Sequence, residues 1–164
     1  MVVMINIKTI SLLCALALGA MAFQARATDT APTWSVTSHT GKSIHSTSLG
    51  KVTVVNFWAT YCLPCIVEMP TLQSLSQKYA KDGLTVIGVS VDAQSTVMLK
   101  AFADKLKTSY AMALANPQIM SDFHVSDNVP MTFILDQQGR VLSKHSGYVK
   151  REELEKDIRT ALKL

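Results

Sequence analysis

Cysteine is scarce in this chain: three of 164 residues, Cys14, Cys62 and Cys65. Only one closely spaced pair exists. A structural zinc site needs four ligands, and a single CxxC supplies two. The histidines (His39, His45, His124 and His145) show no ligand spacing that would complete the set, so zinc is disfavoured. Runs of one charge are also missing. The lysines are scattered, with no basic stretch to track phosphates, which argues against nucleic acid as a partner. The eight methionines form no cluster, which argues against a methionine metal site. There is no internal repeat and no sign of a second domain.

The N-terminal stretch does not read as folded protein. Lys8 precedes an apolar run from Ile10 to Phe23, and "ARA" follows at residues 25 to 27. A positive start, a short apolar core and small residues before a cut form the layout of a secretory signal, cleaved after Ala27. The run is shorter than the ~20 residues that span a bilayer. A retained anchor is the alternative. A lipid on Cys14 is set aside because Leu13 stands where a small residue would be expected. Removing 27 of 164 residues leaves 137, enough for one domain with a core. Without Lys8 and Arg26, 14 basic side chains face 12 acidic ones, and the remaining thiols are Cys62 and Cys65. Such a pair, on an exported chain, suits a compartment where disulfides form and persist.

Residues 28 to 33 read as a loose leader, and residues 34–38 and 42–47 as a hairpin about Gly41. "VTVVNFW" (52 to 58) is apolar and β-branched almost throughout, which predicts a strand covered on both faces. Ile66, Met69, Leu72, Leu75 and Tyr79 recur at helical spacing until "KDG" (81 to 83), and "LTVIGVSV" (84 to 91) is a second buried strand. Strand, helix and strand in direct succession predict a right-handed βαβ unit. A helix over 95–106 with Val97, Leu99, Phe102 and Leu106 apolar comes next, then a strand over 110–115 and a short helix over 117–123. Two strands at 131–136 and 141–147 join through "QQGR" and are therefore antiparallel. A closing helix runs over 151–164. The fold class is α/β: a mixed sheet with helices on both sides.

Cys62 follows a strand and opens a helix. Unpaired backbone N–H groups and the helix dipole there favour a thiolate. An ordinary cysteine titrates at ~8.5, and CxxC cysteines at helix starts fall to ~3.5–7.5. Two intervening residues in a helical turn bring the second sulfur within bonding reach. Pro64 fits because the first turn needs no N–H from it. The redox reading is thus preferred over two inert buried thiols.

"NFWATYCLPC" followed by "EMP" resembles the thioredoxin superfamily, and within it the exported TlpA/ResA-like thiol–disulfide oxidoreductases. The resemblance covers nearly all of residues 34 to 164. Trp58, Ala59, Cys62, Pro64 and Cys65 match the active-site motif, and Pro70 matches a proline that kinks the first helix. Val129-Pro130 matches a loop whose cis proline faces the cysteines. Residues 92–128 match an insertion typical of this branch. The thioredoxin fold is thereby implied, with an N-terminal hairpin and a central insertion. Cys62 is implied as the exposed nucleophile and Cys65 as the resolving thiol, with Pro130 as a third site residue. A substrate-binding surface is implied around them, to which Trp58, Tyr61, Leu63, Pro64, Val129 and Met131 are assigned. Trp58 is first a core aromatic, and Met131 either lines the groove or fills core.

The chain departs from thioredoxin where Asn56 replaces a buried aspartate. The TlpA/ResA-like branch often carries asparagine there and a glutamate in the helix, which here is Glu68. Glu68 lies one helical turn past Cys65 and either manages a proton or is an ordinary solvated helix residue. Tyr61 stands in place of the usual tryptophan, and Leu63 in place of glycine or proline. His124 is read as packed or surface rather than catalytic. The implied activity is reduction of disulfides in extracytoplasmic proteins, as in cytochrome c maturation. It needs no dissociable cofactor beyond a redox-active Cys62–Cys65 disulfide. Protein thiols and disulfides are the partners, a membrane electron donor re-reduces the pair, and a monomer is the expected state. Two rival readings remain. A peroxiredoxin-like peroxidase would want threonine where Ala59 stands, and a copper chaperone of the same fold would want a distant histidine ligand.

Overall fold

The strand at the middle of the molecule is buried at every position. In the computed structural model, which describes residues 33–164, β3 (Val52–Trp58) lies between β4 (Leu84–Ser90), parallel to it, and β6 (Met131–Asp136), antiparallel to it. A strand covered on both faces has no solvent side to mark with polar residues, and this explains its nearly unbroken apolar sequence. Beyond β4 lies β5 (Ala111–Leu114), then β1 (Ser35–Ser38) and β2 (Ser43–His45). Beyond β6 lies β7 (Val141–Ser146), giving the sheet order β2-β1-β5-β4-β3-β6-β7. The N-terminal hairpin thus joins the main sheet by pairing with the strand of the central excursion.

Alternation along β3 divides the core. Val52, Val54 and Trp58 face a layer that includes Leu72 and Leu75 of α1 (Leu63–Tyr79). The same layer takes Leu99 and Ala103 of α2 (Thr96–Leu106), and Leu154, Ile158 and Leu162 of α4 (Arg151–Leu162). Val55 and Phe57 face the other way, toward Trp34, Ile87 and Val89 and the end of the short α3 (Pro117–Asp122). There Phe123 packs against Phe57, Phe133 and Trp34 at centroid separations of 5.4, 4.8 and 6.0 Å, in tilted and edge-on geometries that aromatic rings prefer. Strands β3, β4 and β5 progress in one direction across the sheet. Two right-handed crossovers therefore place α1 and α2 on one face.

The helix ends obey local chemistry. Ser95 caps α2 by accepting from the Met98 N–H, and Asn116 caps α3 by accepting from the Ile119 N–H. The turn after α1 closes on Gly83 at φ 97°, a conformation glycine adopts freely. One expectation needs correction. Val97, counted with the apolar face of α2, is 78 % exposed, and the buried positions are Leu99 and Ala103. Two residues of separation rotate a helical side chain by more than half a turn, so Val97 and Leu99 cannot share one face. The cleavage after Ala27, and Cys14 with it, lie outside the described residues. Among the described residues no helix is long and apolar enough to cross a membrane.

Candidate active site

Cys62 is the N-cap of α1, held in extended backbone (φ −85°, ψ 97°), with Leu63 and Pro64 opening the first turn. Its sulfur accepts from the Cys65 N–H at 3.2 Å, so an otherwise unpaired amide of the helix start points at it. Cys62 and Cys65 are bonded as a disulfide across a Cα–Cα separation of 5.3 Å. Cys62 is 6 % exposed and Cys65 fully buried. The first sulfur is therefore the one within reach of a partner, although it is less open than the exposed nucleophile expected. The loop before it is pinned. The Thr60 N–H donates to both Asp92 carboxylate oxygens at 3.0 and 2.9 Å, and Ser90 Oγ donates to the same group at 2.9 Å. Pro70 sits inside α1, as the motif implied.

Val129–Pro130 is cis, the isomer expected. The Val129 carbonyl oxygen lies 3.6 Å from Cys62 Sγ, which brings the loop before β6 against the head of α1. Pro130 is buried, and its carbonyl accepts from the Gly147 N–H at 2.8 Å.

One helical turn beyond Cys65 lies a carboxylate with no exposure. Glu68 accepts from Asn56 Nδ2 at 3.1 Å through one oxygen and from the Val149 N–H at 3.2 Å through the other. Asn56 Nδ2 also donates to Thr132 Oγ1 at 2.9 Å. Burial pushes the Glu68 carboxyl above its ordinary value of 4.5. The hydrogen bonds from Val149 and Asn56, and the field of His145, pull partly the other way. The solvated alternative for Glu68 is thereby removed. Tyr110 responds to the same site. Its buried phenol is pushed up first by desolvation and then by the charge of Glu68.

Of the side chains assigned to substrate binding, Tyr61 (68 % exposed) and Leu63 (72 %) stand in solvent beside the pair, and Pro64 is also exposed. Val129 is half-buried at the sulfur. Two assignments are corrected. Trp58 is entirely buried and packs against Phe102 in a tilted geometry at 5.0 Å, so it belongs to the core. Met131, 5 % exposed, fills the opposite core layer because it is the first residue of a strand buried on both faces. His124 is exposed, at φ 51°. Ala59, where a peroxidatic site would want a hydroxyl, is fully buried. Among the described residues no group of three or more His, Cys, Asp or Glu could hold a metal ion.

Sequence reasoning missed Asp92, Thr132, Val149 and the exposed Val67. Asp92 was legible in principle. It follows the second parallel strand, and the carboxyl ends of parallel strands are where α/β sheets build their sites. Val149 contributes only a backbone amide, which leaves no side-chain signature.

Comparison with known proteins agrees with this geometry. The AhpC/TSA family matches residues 27–144. The thioredoxin-like protein YneN of Bacillus subtilis is 34 % identical over 78 % of this chain and 76 % of its own length. The thiol–disulfide oxidoreductase ResA of Bacillus anthracis is 31 % identical over 76 % and 72 %. A thiol:disulfide interchange protein of the thioredoxin family from Chlorobium tepidum superposes with a TM-score of 0.73 at 27 % identity, covering 81 % of this chain and 95 % of that one. StoA from Bacillus subtilis shares the fold at 21 % identity, with a TM-score of 0.66 over 78 % and 97 %. With its bonded CxxC at a helix start in a thioredoxin fold, the chain belongs to the AhpC/TSA family and is a thiol–disulfide oxidoreductase of the ResA type.

Proposed function

We propose that the protein is an exported, periplasmic reductase of disulfides in extracytoplasmic proteins, of the kind that serves cytochrome c maturation. The observation that carries this reading is the burial of Glu68 one helical turn beyond Cys65. A carboxylate beneath the pair disfavours a second negative charge on sulfur. A disfavoured thiolate shifts the balance toward the disulfide, which makes the dithiol form the better electron donor.

In the reduced protein the Cys62 thiolate attacks one sulfur of a client disulfide. A Cys62–client bond forms and the client's other sulfur leaves as a thiolate. Cys65 then loses its proton, for which Glu68 is the acceptor within the core, and attacks Cys62 Sγ. The mixed disulfide breaks, the second client thiolate leaves, and the Cys62–Cys65 bond remains. Two electrons have passed from the pair to the client, and two protons complete the client's thiols. A dithiol donor at the membrane reverses the change on the protein. The couple is the two sulfurs themselves, so no dissociable cofactor enters, and a monomer presents one complete site.

Trapping tests the assignment. In the full chain, Cys65→Ser should accumulate mixed disulfides with extracytoplasmic thiol proteins, apocytochrome c among them, whereas Cys62→Ser should not. Mass spectrometry of the adducts should find Thr28 at the N-terminus. Adducts formed by Cys62→Ser alone, or a full-length chain retained in the membrane, would contradict the corresponding part.

A further inference from the structure

A row of polar side chains crosses three strands on the face that carries α1. Asn56 of β3 stands opposite Thr132 of β6, and Thr132 stands opposite His145 of β7. Directly opposed residues of antiparallel strands point to the same side, and the hydrogen bond from Asn56 Nδ2 to Thr132 Oγ1 joins the first two. Glu68 is tied to the inner end of the row by its bond from Asn56. At the outer end α4 supplies two carboxylates, one to each nitrogen of the imidazole. His145 Nε2 lies 3.0 Å from Asp157 Oδ2, and Nδ1 lies 3.6 Å from Glu153 Oε1. Ser143 Oγ donates to the same Asp157 oxygen at 2.6 Å. Exposure rises along the row. Glu68, Asn56 and Thr132 have none, whereas the side chains of His145, Asp157 and Glu153 are 13, 30 and 61 % exposed. The charged groups facing His145 are thus Asp157 and Glu153 from α4 and, farther in, Glu68 from α1. Lys144, next to it on β7, lies over the Phe133 ring in the opposite layer. The buried phenol of Tyr110, whose proton is held more tightly than usual, brings no charge to Glu68.

We infer that His145 is a positioning residue for the thiol–disulfide reaction: its charge, set from the solvent side, decides whether Glu68 is ionised and so free to take the proton of Cys65. The row couples its ends by a field and not by proton transfer, because the amide of Asn56 has no proton to give up at these pH values. Protonated at both nitrogens, the ring donates toward Asp157 and faces Glu153 with its other N–H. It then carries a positive charge two strand spacings, about 10 Å, from Asn56. The medium between is packed protein, where salt screens charges far less than at the surface. That charge favours the ionised Glu68, in the same direction as the pull of His145 on the carboxyl. Asp157 and Glu153 are present whichever form the ring takes, so the change felt at Glu68 is the one charge on the imidazole. A neutral ring withdraws the support, and burial then favours a protonated carboxyl that can accept nothing from Cys65.

The inference rests on the proposed function for Glu68 as the acceptor of the Cys65 proton, and two measurements separate the two ideas. The first is the infrared carbonyl band of protonated Glu68 in the oxidised protein, identified by its loss in Glu68→Gln and followed against pH. His145→Gln should move the midpoint of this band to higher pH. His145→Lys, which keeps a positive charge, should leave it near the wild-type position, a rescue that a merely structural role would not show. The second is the resolving step of the reduced protein. Glutathione disulfide forms a Cys62–glutathione bond and releases one glutathione thiolate. Cys65 then breaks that bond, releases the second glutathione and closes the Cys62–Cys65 disulfide. Mass spectrometry of acid-quenched samples gives the decay rate of the adduct. On the acid limb of its pH profile His145→Gln should slow this decay severalfold, and in a Glu68→Gln background it should change nothing. An unmoved infrared midpoint in His145→Gln, an equal movement in His145→Lys, or an adduct decay that His145→Gln leaves unchanged overturns the role of His145. A wild-type pH profile of decay in Glu68→Gln overturns Glu68 as the acceptor, and the infrared midpoint still reports on His145.

Discussion

Glu68 meets two opposing demands. Its hydrogen bonds from Asn56 and Val149 favour the ionised form, while complete burial disfavours it, and burial is the larger influence. A carboxyl whose folded value lies above its unfolded one binds its proton more tightly in the native state. The stability this contributes is fully present below about pH 4.5 and is lost as pH rises through the raised folded value. Oxidised wild type should therefore lose thermal stability over that window, and Glu68→Gln, which has no proton to release, should lose less. Equal slopes in the two proteins would deny the buried titration. The same substitution removes negative charge beneath the pair, stabilises the thiolate and should raise the reduction potential. A tenfold change in the equilibrium corresponds to about 30 mV.

The central element is α1, which positions the cysteines at its head and buries one stripe along its length. Met69, Leu72 and Leu75 continue the line that starts at Cys65. Leu72 is fully buried two turns beyond the pair, so Leu72→Ala should cost about 2–5 kcal/mol by chemical denaturation. The reduction potential should stay put, because the cap geometry at Cys62 does not depend on that side chain; a shift comparable to that of Glu68→Gln would show that the stripe tunes the chemistry. This element and its two flanking strands were legible in the sequence because each carries a strong period or a solid apolar run. Trp58 was half legible: it reads first as a core aromatic, its place in the motif added a share in substrate binding, and strand alternation puts it on the same face as Val54, inside. Val97 misled because apolar character alone does not fix a helical face. The partners of Glu68 were half legible: Asn56 stood out as a departure from the motif, but Thr132 and Val149 come together with it only through the sheet order.

At the scale of the molecule, the site exists because the sheet brings distant segments to one edge. Parallel pairing of β3 with β4 sets Trp58 opposite Ser90 and so places Thr60 beside Asp92. Antiparallel pairing of β3 with β6 brings the cis proline loop to Cys62. The turn out of β7 then delivers Val149 to Glu68. The product is a disulfide with one barely accessible sulfur and a buried carboxylate one helical turn along α1. Under the proposed function, such a site gives up electrons to a client disulfide. Its reduction potential, from equilibration of Cys62 and Cys65 with glutathione or dithiothreitol at neutral pH, tests this most directly. A value nearer the ~−270 mV of thioredoxin than the ~−120 mV of a strong periplasmic oxidant is expected, and one above about −180 mV would contradict the reductant assignment.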